Sequence, residues 1–269
     1  MKRNYLTIFI FAALLSNYTA ANDFDKMKTK AKLVAEEEKK ITNRVDFMKH
    51  KAFQEAKKRA LKGDINSQYA LGGMYYLGTV TDQDYKKALK WFEKAANKGH
   101  IKAEYELGYM YFEGRGVQRD FKKALSWFKK AADKGDSKAQ LHLAQMYFEG
   151  LGVKRDYAKA YYWYQVTADM EYPDAQYKLG KMFYDGLGVE KNHEQAAYWF
   201  SKAAEQSFAD AQFKLAMMYI NGDGVKKDMI KAKELLGLAY LNGNLRAKDE
   251  LIAHAWKVPE PIGAIYLDE

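Results

Sequence analysis

Two periods run along this chain, one short and one long. At short range apolar residues come three and four positions apart, as in Ala103, Leu107, Met110 and Tyr111, or in Ala124, Trp127, Phe128, Ala131 and Ala132. That spacing draws one stripe down an α-helix and leaves polar residues on the other side. At long range the stripes themselves return every 36 residues. Leu71, Leu107, Leu143, Leu179 and Leu215 keep that interval, and so do Met74, Met110, Met146, Met182 and Met218. Ala88, Ala124, Ala160, Ala196 and Ala232 form another column; Trp91, Trp127, Trp163 and Trp199 form a fourth, with Leu235 in its fifth slot. So many columns stay in step only if one structural unit is repeated five times.

Each unit predicts two helices. In the second copy the first helix is expected from Ala103 to Glu113, ending at Gly114-Arg115-Gly116, where glycine can take the left-handed conformation that stops a helix. The second opens at an acid or amide in every copy: Asp84, Asp120, Asp156, Asn192 and Asp228. Such a side chain accepts from a free backbone N–H of the first turn. Gly99, Gly135 and Gly243 close the second helix, whereas Glu171 and Ser207 hold that place in copies three and four, where no glycine marks the turn. Gly72, Gly108 and Gly180 stand inside first helices, with Ala144 and Ala216 in the other copies. A glycine inside a helix costs about 1 kcal/mol relative to alanine, so the column predicts close approach by a neighbouring helix. The Met and Trp columns read as core.

One helix pair cannot bury both its faces, but a stack can. The expected fold is all-α, a right-handed α/α solenoid of five 36-residue helix-pair repeats over residues 64–243, with helical caps. Residues 22–63 are a charged N-terminal helical segment whose end, Phe53 to Gly63, looks like a lone second helix. Residues 244–269 supply a C-terminal capping helix and tail, in which Ala247 and Leu251 precede Pro259 and Pro261.

The pattern A-x-x-x-L-G-x-M-Y-x-x-G-x-G-V-x-x-D-x-x-K-A-x-x-W-[FY]-x-x-A-A-x-x-G, met almost column for column from Ala103 to Gly135, resembles the Sel-one-like repeat (SLR) family, relatives of the tetratricopeptide repeats. The resemblance spans residues 64–255 and departs at Gly78-Thr79-Val80-Thr81 and at Leu235, both in terminal copies. It implies a superhelical scaffold that recruits proteins, in the bacterial envelope or in host-interacting bacteria, with no catalytic residues of its own. By analogy with related solenoids, the first helices line the concave surface. Some members are stapled by disulfides; this chain has no cysteine.

The ends change the picture. Lys2 and Arg3, the apolar run Leu6 to Leu15, and Thr19, Ala20 and Ala21 read as a signal peptide over residues 1–21, with a periplasmic or secreted product. About ten apolar residues are too few to cross a hydrocarbon core of ~30 Å. The lack of cysteine also rules out lipid attachment at a leader cysteine and thiol chemistry. The formal net charge of +9 loses Lys2 and Arg3 with the leader, which leaves +7, a balance that does not by itself mark a nucleic-acid partner. Phe24, Met27, Ala31, Val34, Glu38, Ile41, Val45, Met48 and Ala52 follow heptad spacing, so residues 22–52 could form a dimeric coiled coil. Glu38, Ala31 and Ala52 weaken that seam and favour a monomer, with a long helix folded against the first repeat.

Chemistry-bearing residues are sparse. His50, His100, His142, His193 and His254 show no metal-ligand spacing, and His142, on a first helix, is expected to be solvated. The G-x-G segments lack the following Lys-Ser/Thr of a phosphate loop. Glu113, Glu149 and Asp185 recur at the repeat interval as a lattice rather than a site. No catalytic residue, metal or cofactor is expected.

Binding surfaces follow from the columns that vary between copies, which are expected to be exposed. On the first helices these run Ala70, Glu106, His142, Lys178, Lys214; then Gly73, Tyr109, Gln145, Lys181, Met217; then Leu77, Glu113, Glu149, Asp185, Asn221. They share one helix face and grade from acidic and aromatic to basic, as an extended segment of a protein or peptide partner would be read. On second helices, Lys86, Lys87, Lys90, Lys94 and Lys98 with Lys122, Lys123, Lys129, Lys130 and Lys134 could meet an anionic envelope polysaccharide or lipid. Tyr161, Tyr162 and Tyr198 replace such lysines in later copies and suit a protein contact. Glycan or peptidoglycan binding by the same solenoid is the rival expectation.

Overall fold

The computed structural model describes residues 21–260, which form twelve α-helices and, among the described residues, no strand. A long helix, α1 (Ala21–Leu61), leads into five antiparallel pairs. They are α2 (Ile65–Leu77) with α3 (Tyr85–Ala96), α4 (Ile101–Glu113) with α5 (Phe121–Asp133), α6 (Ser137–Glu149) with α7 (Tyr157–Asp169), α8 (Pro173–Asp185) with α9 (His193–Glu205), and α10 (Ala209–Asn221) with α11 (Met229–Leu241). A short α12 (Leu245–Ala253) closes the series. Each helix packs on the one before and the one after, as a solenoid requires. All but the last residue of the signal-peptide reading, residues 1–21, and the tail from residue 261 lie outside the described residues.

Helix boundaries follow the caps. Asp84, Asp120, Asp156, Asn192 and Asp228 each accept from the backbone N–H three residues on, as expected of the second helices. First helices start two residues earlier than expected, because a cap precedes them too. Asp64, His100, Asp136 and Asn244 hold it with a side chain, and Tyr172 and Phe208 without one. Glu171 and Ser207 make the same turn as the glycines, at φ 63° and 62°, so the repeat geometry imposes a left-handed residue even where glycine is absent.

Within a pair, the buried ring of Phe92, Phe128 or Phe200 lies on Gly72, Gly108 or Gly180. A Cβ on Gly72 would come 2.6 Å from the Phe92 ring. The close approach read from the glycine column is therefore made by an aromatic side chain of the partner helix. The second glycine of each loop makes the seam between pairs. A Cβ on Gly116, Gly152, Gly188 or Gly224 would meet backbone of the preceding second helix at Tyr85, Phe121, Tyr157 or His193, at 2.3–2.6 Å.

A buried polar column runs through the same seam. Gln68, Gln140, Gln176 and Gln212 donate through Nε2 to the carbonyls of Ala60, Ala132, Ala168 and Ala204, eight residues back. Copy two has Glu104 instead, 3% exposed, and Lys134 Nζ reaches it at 2.6 Å. Gln206 and Asn242, in the slot of Lys134, donate to the amides of Gln176 and Gln212 at 2.9 Å. The buried acid of copy two thus has its counter-charge, whereas Lys98, in the same slot of copy one opposite the neutral Gln68, donates to the Gly63 carbonyl at 2.7 Å.

Two core expectations need correction. Trp91, Trp127 and Trp163 are half-buried rather than core, and only Trp199 is buried. Lys94 and Lys130 lie over the Trp91 and Trp127 rings at 4.2 and 3.8 Å, so these indoles bury one face and offer the other to a cation. The N-terminal helix is not folded along the first repeat. From Lys28 to Ala52 every residue but Thr42 is exposed. Only the last turns cap the stack, through buried Phe53, edge-on to Tyr75 at 5.7 Å, and Ala60. Local pairs such as Lys40–Glu37 at 2.9 Å and Lys49–Asp46 at 3.8 Å support the projecting part.

Candidate functional site, the first-helix face

Successive first helices touch through their side chains. Tyr105 on α4 lies 5.8 Å from His142 on α6, and its hydroxyl stands 3.4 Å from His142 Nε2. Among the described residues no ring contact joins successive second helices. The first helices are thus the more crowded layer, and this explains why their variable columns are mostly half-buried instead of exposed. Glu106, Tyr109, His142, Gln145, Lys178, Lys181, Lys214 and Met217 are all half-buried; Glu113 is exposed. Glu149 and Asp185 are exposed as well.

The acidic, aromatic end is built on α4 and α6. Tyr109 stacks on Tyr105 at 6.2 Å, and Arg115 lies over both Tyr109 and Tyr76, at 5.4 and 5.7 Å, donating to the Tyr76 hydroxyl at 2.6 Å. Glu113 approaches the same guanidinium at 3.9 Å. His142 is not solvated: it stacks flat on Phe128 at 4.8 Å, and its Nδ1 is buried with no hydrogen-bond partner. Burial holds its pKa below the ordinary 6.5, because a charged imidazolium would lose its hydration there. Glu106 makes no ion pair among the described residues. Burial pushes its pKa upward, with the Lys138 ammonium pulling it back; Lys138 itself sits 5.9 Å over the Tyr105 ring.

The basic end is built on α8 and α10. Lys178 and Lys181 make no ion pair among the described residues, and Lys214 meets only the Tyr184 ring, at 5.9 Å. Met217 packs into the α10–α12 cluster, and Gln145 donates to Glu149 at 3.2 Å.

The tyrosines of the second helices do not join this face. Tyr161 is half-buried against Phe183, so it is packing rather than surface. Tyr162 and Tyr198 are 57% and 49% exposed, each edge-on to the tryptophan that follows it.

Arg115 is the residue that reading the helices missed. Its column, Thr79, Arg115, Leu151, Leu187 and Asp223, varies between copies as the groove columns do. Because it lies in the loop, a helical stripe does not include it. Asp223 repeats the geometry with opposite charge, accepting from Tyr184 at 3.3 Å.

Among the described residues, no group of three or more His, Asp and Glu side chains gathers as a metal site would, and no helix is long and apolar enough to cross a membrane.

A search of curated proteins returned no match. Among solved structures, the chain is similar to a Sel1 repeat protein from Oxalobacter formigenes, with 34% identity and a TM-score of 0.65 over 71% of this chain and 78% of that one. It is also similar to c5321, a protective antigen with an SLR fold from uropathogenic Escherichia coli strains, with 30% identity and a TM-score of 0.58. That match covers 77% of this chain but only 53% of the antigen. The family model for the Sel1 repeat matches five consecutive segments, residues 65–100, 101–136, 137–172, 173–208 and 209–256; each begins where a first helix begins, and the fifth runs on over α12. The chain belongs to the Sel1 repeat family.

Proposed function

We propose that this protein is a non-enzymatic, exported scaffold that binds a protein or peptide along the first-helix face, the concave side of the solenoid. Sel1 repeat solenoids are generally protein-interaction scaffolds, and the fold here is theirs. The observation that carries the reading is the half-buried stripe from Glu106 and Tyr109 to Lys178 and Lys214. Its aromatic rings and polar groups are partly dehydrated, a mixture suited to a protein contact. Export rests on the leader-like residues Lys2 to Ala21.

The test is photo-crosslinking in cells from Tyr109, Lys178 and Lys214, with exposed loop residue Lys154 as control. One discrete protein captured from the three face positions and not from Lys154 is the expected result. Equal capture everywhere, or none, overturns it. The exposed pair Tyr162 and Tyr198, one repeat apart, favours a second reading in which sugar rings of peptidoglycan stack on second helices. Binding of muropeptides that is lost in Tyr162→Ala/Tyr198→Ala, with the lysines intact, would move that reading to the front.

A further inference from the structure

Of the lysines whose side chains are described, all are exposed except Lys178, Lys181 and Lys214. Some exposed lysines meet acids, as Lys87, Lys123 and Lys159 do with the cap aspartates Asp84, Asp120 and Asp156, at 3.0, 3.9 and 2.9 Å, and the rest stay hydrated. Among the described residues, the three on α8 and α10 make no ion pair. Each has given up part of its hydration without a carboxylate to replace it. Lys178 and Lys214 occupy the same column in adjacent repeats, and Lys181 lies one turn from Lys178, so the three ammonium groups share one patch. Two repeats away, Glu106 is the opposite case, a half-buried carboxylate without an ion pair, close enough to Tyr69, Tyr76 and Tyr105 to act on their hydroxyls.

We propose that the lysine patch receives paired carboxylates of an extended protein segment, and that Glu106 among its tyrosines receives a basic side chain at the segment's other end. This rests on the reading of the first-helix face as the binding surface and adds the partner's chemistry and polarity. The complement is specific in length. Neighbouring helix axes lie about 8–10 Å apart, so two repeats along the inner layer span roughly 20 Å. At about 3.3 Å per extended residue, some six residues separate the basic side chain from the acids. A peptide rather than a polyanion fits because a uniformly acidic chain would carry its charge onto Glu106 and Glu113 as well.

The experiment uses the full chain and fluorescein-labelled ten-residue peptides on an alanine-serine background. All have one lysine and two glutamates: in one the lysine stands six residues before the pair, in one six residues after, and in a third the charges are adjacent. Anisotropy should show one spaced peptide binding at least tenfold tighter than the adjacent-charge peptide, with the preference fading in high salt. Lys178→Glu/Lys181→Glu should weaken that peptide at least tenfold. Glu106→Lys combined with Lys178→Glu should turn preference toward a peptide with the charges exchanged, and this gain separates a reading role from misfolding. Equal affinity for all three peptides, no binding of any, or an unchanged affinity in the lysine variant overturns the proposal. So does binding of heparin, the polyanion probe, through the same lysines when no peptide binds. If the proposal fails while cells still yield a discrete crosslinked protein at Tyr109, the face remains a protein surface that is read by shape instead of charge.

Discussion

Two glycines side by side in α2 separate conformational cost from steric need. Gly72 lies under the Phe92 ring, where a methyl group would stand 2.6 Å away, while Gly73 faces open space. Gly72→Ala forces the ring or helix to move and should destabilise by about 1–3 kcal/mol. Gly73→Ala removes unfolded-state freedom at a helical position and should stabilise by about 0.5–1 kcal/mol. Urea unfolding of the two variants checks the opposite signs; equal shifts would refute the close-packing account. Ala144 and Ala216 show that the column admits a methyl where a different residue, Tyr164 or Leu236, stands in the Phe92 slot.

The starts of the helices hold a pH response. At the N-terminus of α4, His100 Nδ1 accepts from the Ala103 N–H at 3.2 Å where copies before and after use Asp64 and Asp136. Burial lowers the His100 pKa below the ordinary 6.5, as it does for His142. The unfolded chain therefore takes up protons first, and stability falls as pH drops through 6.5 toward the folded-state values. His100→Asp should keep the cap, remove its share of the acid-side loss and raise stability near pH 5.5, read as a flatter plot of melting temperature against pH. Helix pairs and second-helix caps were legible in the sequence because glycine and cap chemistry act locally. The first-helix caps were not, since histidine, tyrosine and phenylalanine share that column with aspartate. The burial of the groove columns was not legible either. A residue that varies between copies, such as His142, can still be covered by a ring from the preceding helix, and the 36-residue period does not report contacts between columns.

In the whole molecule stability passes from neighbour to neighbour, so the two halves of α1 should respond differently. Phe53→Ala removes the cap of the stack and should cost about 3 kcal/mol, first seen as faster hydrogen exchange in α2. Ile41→Asp, on a residue 60% exposed, should leave the unfolding midpoint and the sedimenting mass unchanged. A fall in either would show that the heptad stripe is covered in solution. The seam glycines carry a further meaning for how such an array can grow. Copies two to five share Gly116, Gly152, Gly188 and Gly224 against the helix behind them, but the first copy has Val80 in that slot. No cap-and-start backbone stands behind it, because α1 runs unbroken there. Interior copies can therefore be duplicated, deleted or exchanged without disturbing this contact, whereas the first copy, moved inward, would drive its valine into a neighbour's backbone. Lengthening by gene duplication is open between the ends and closed to the leading unit.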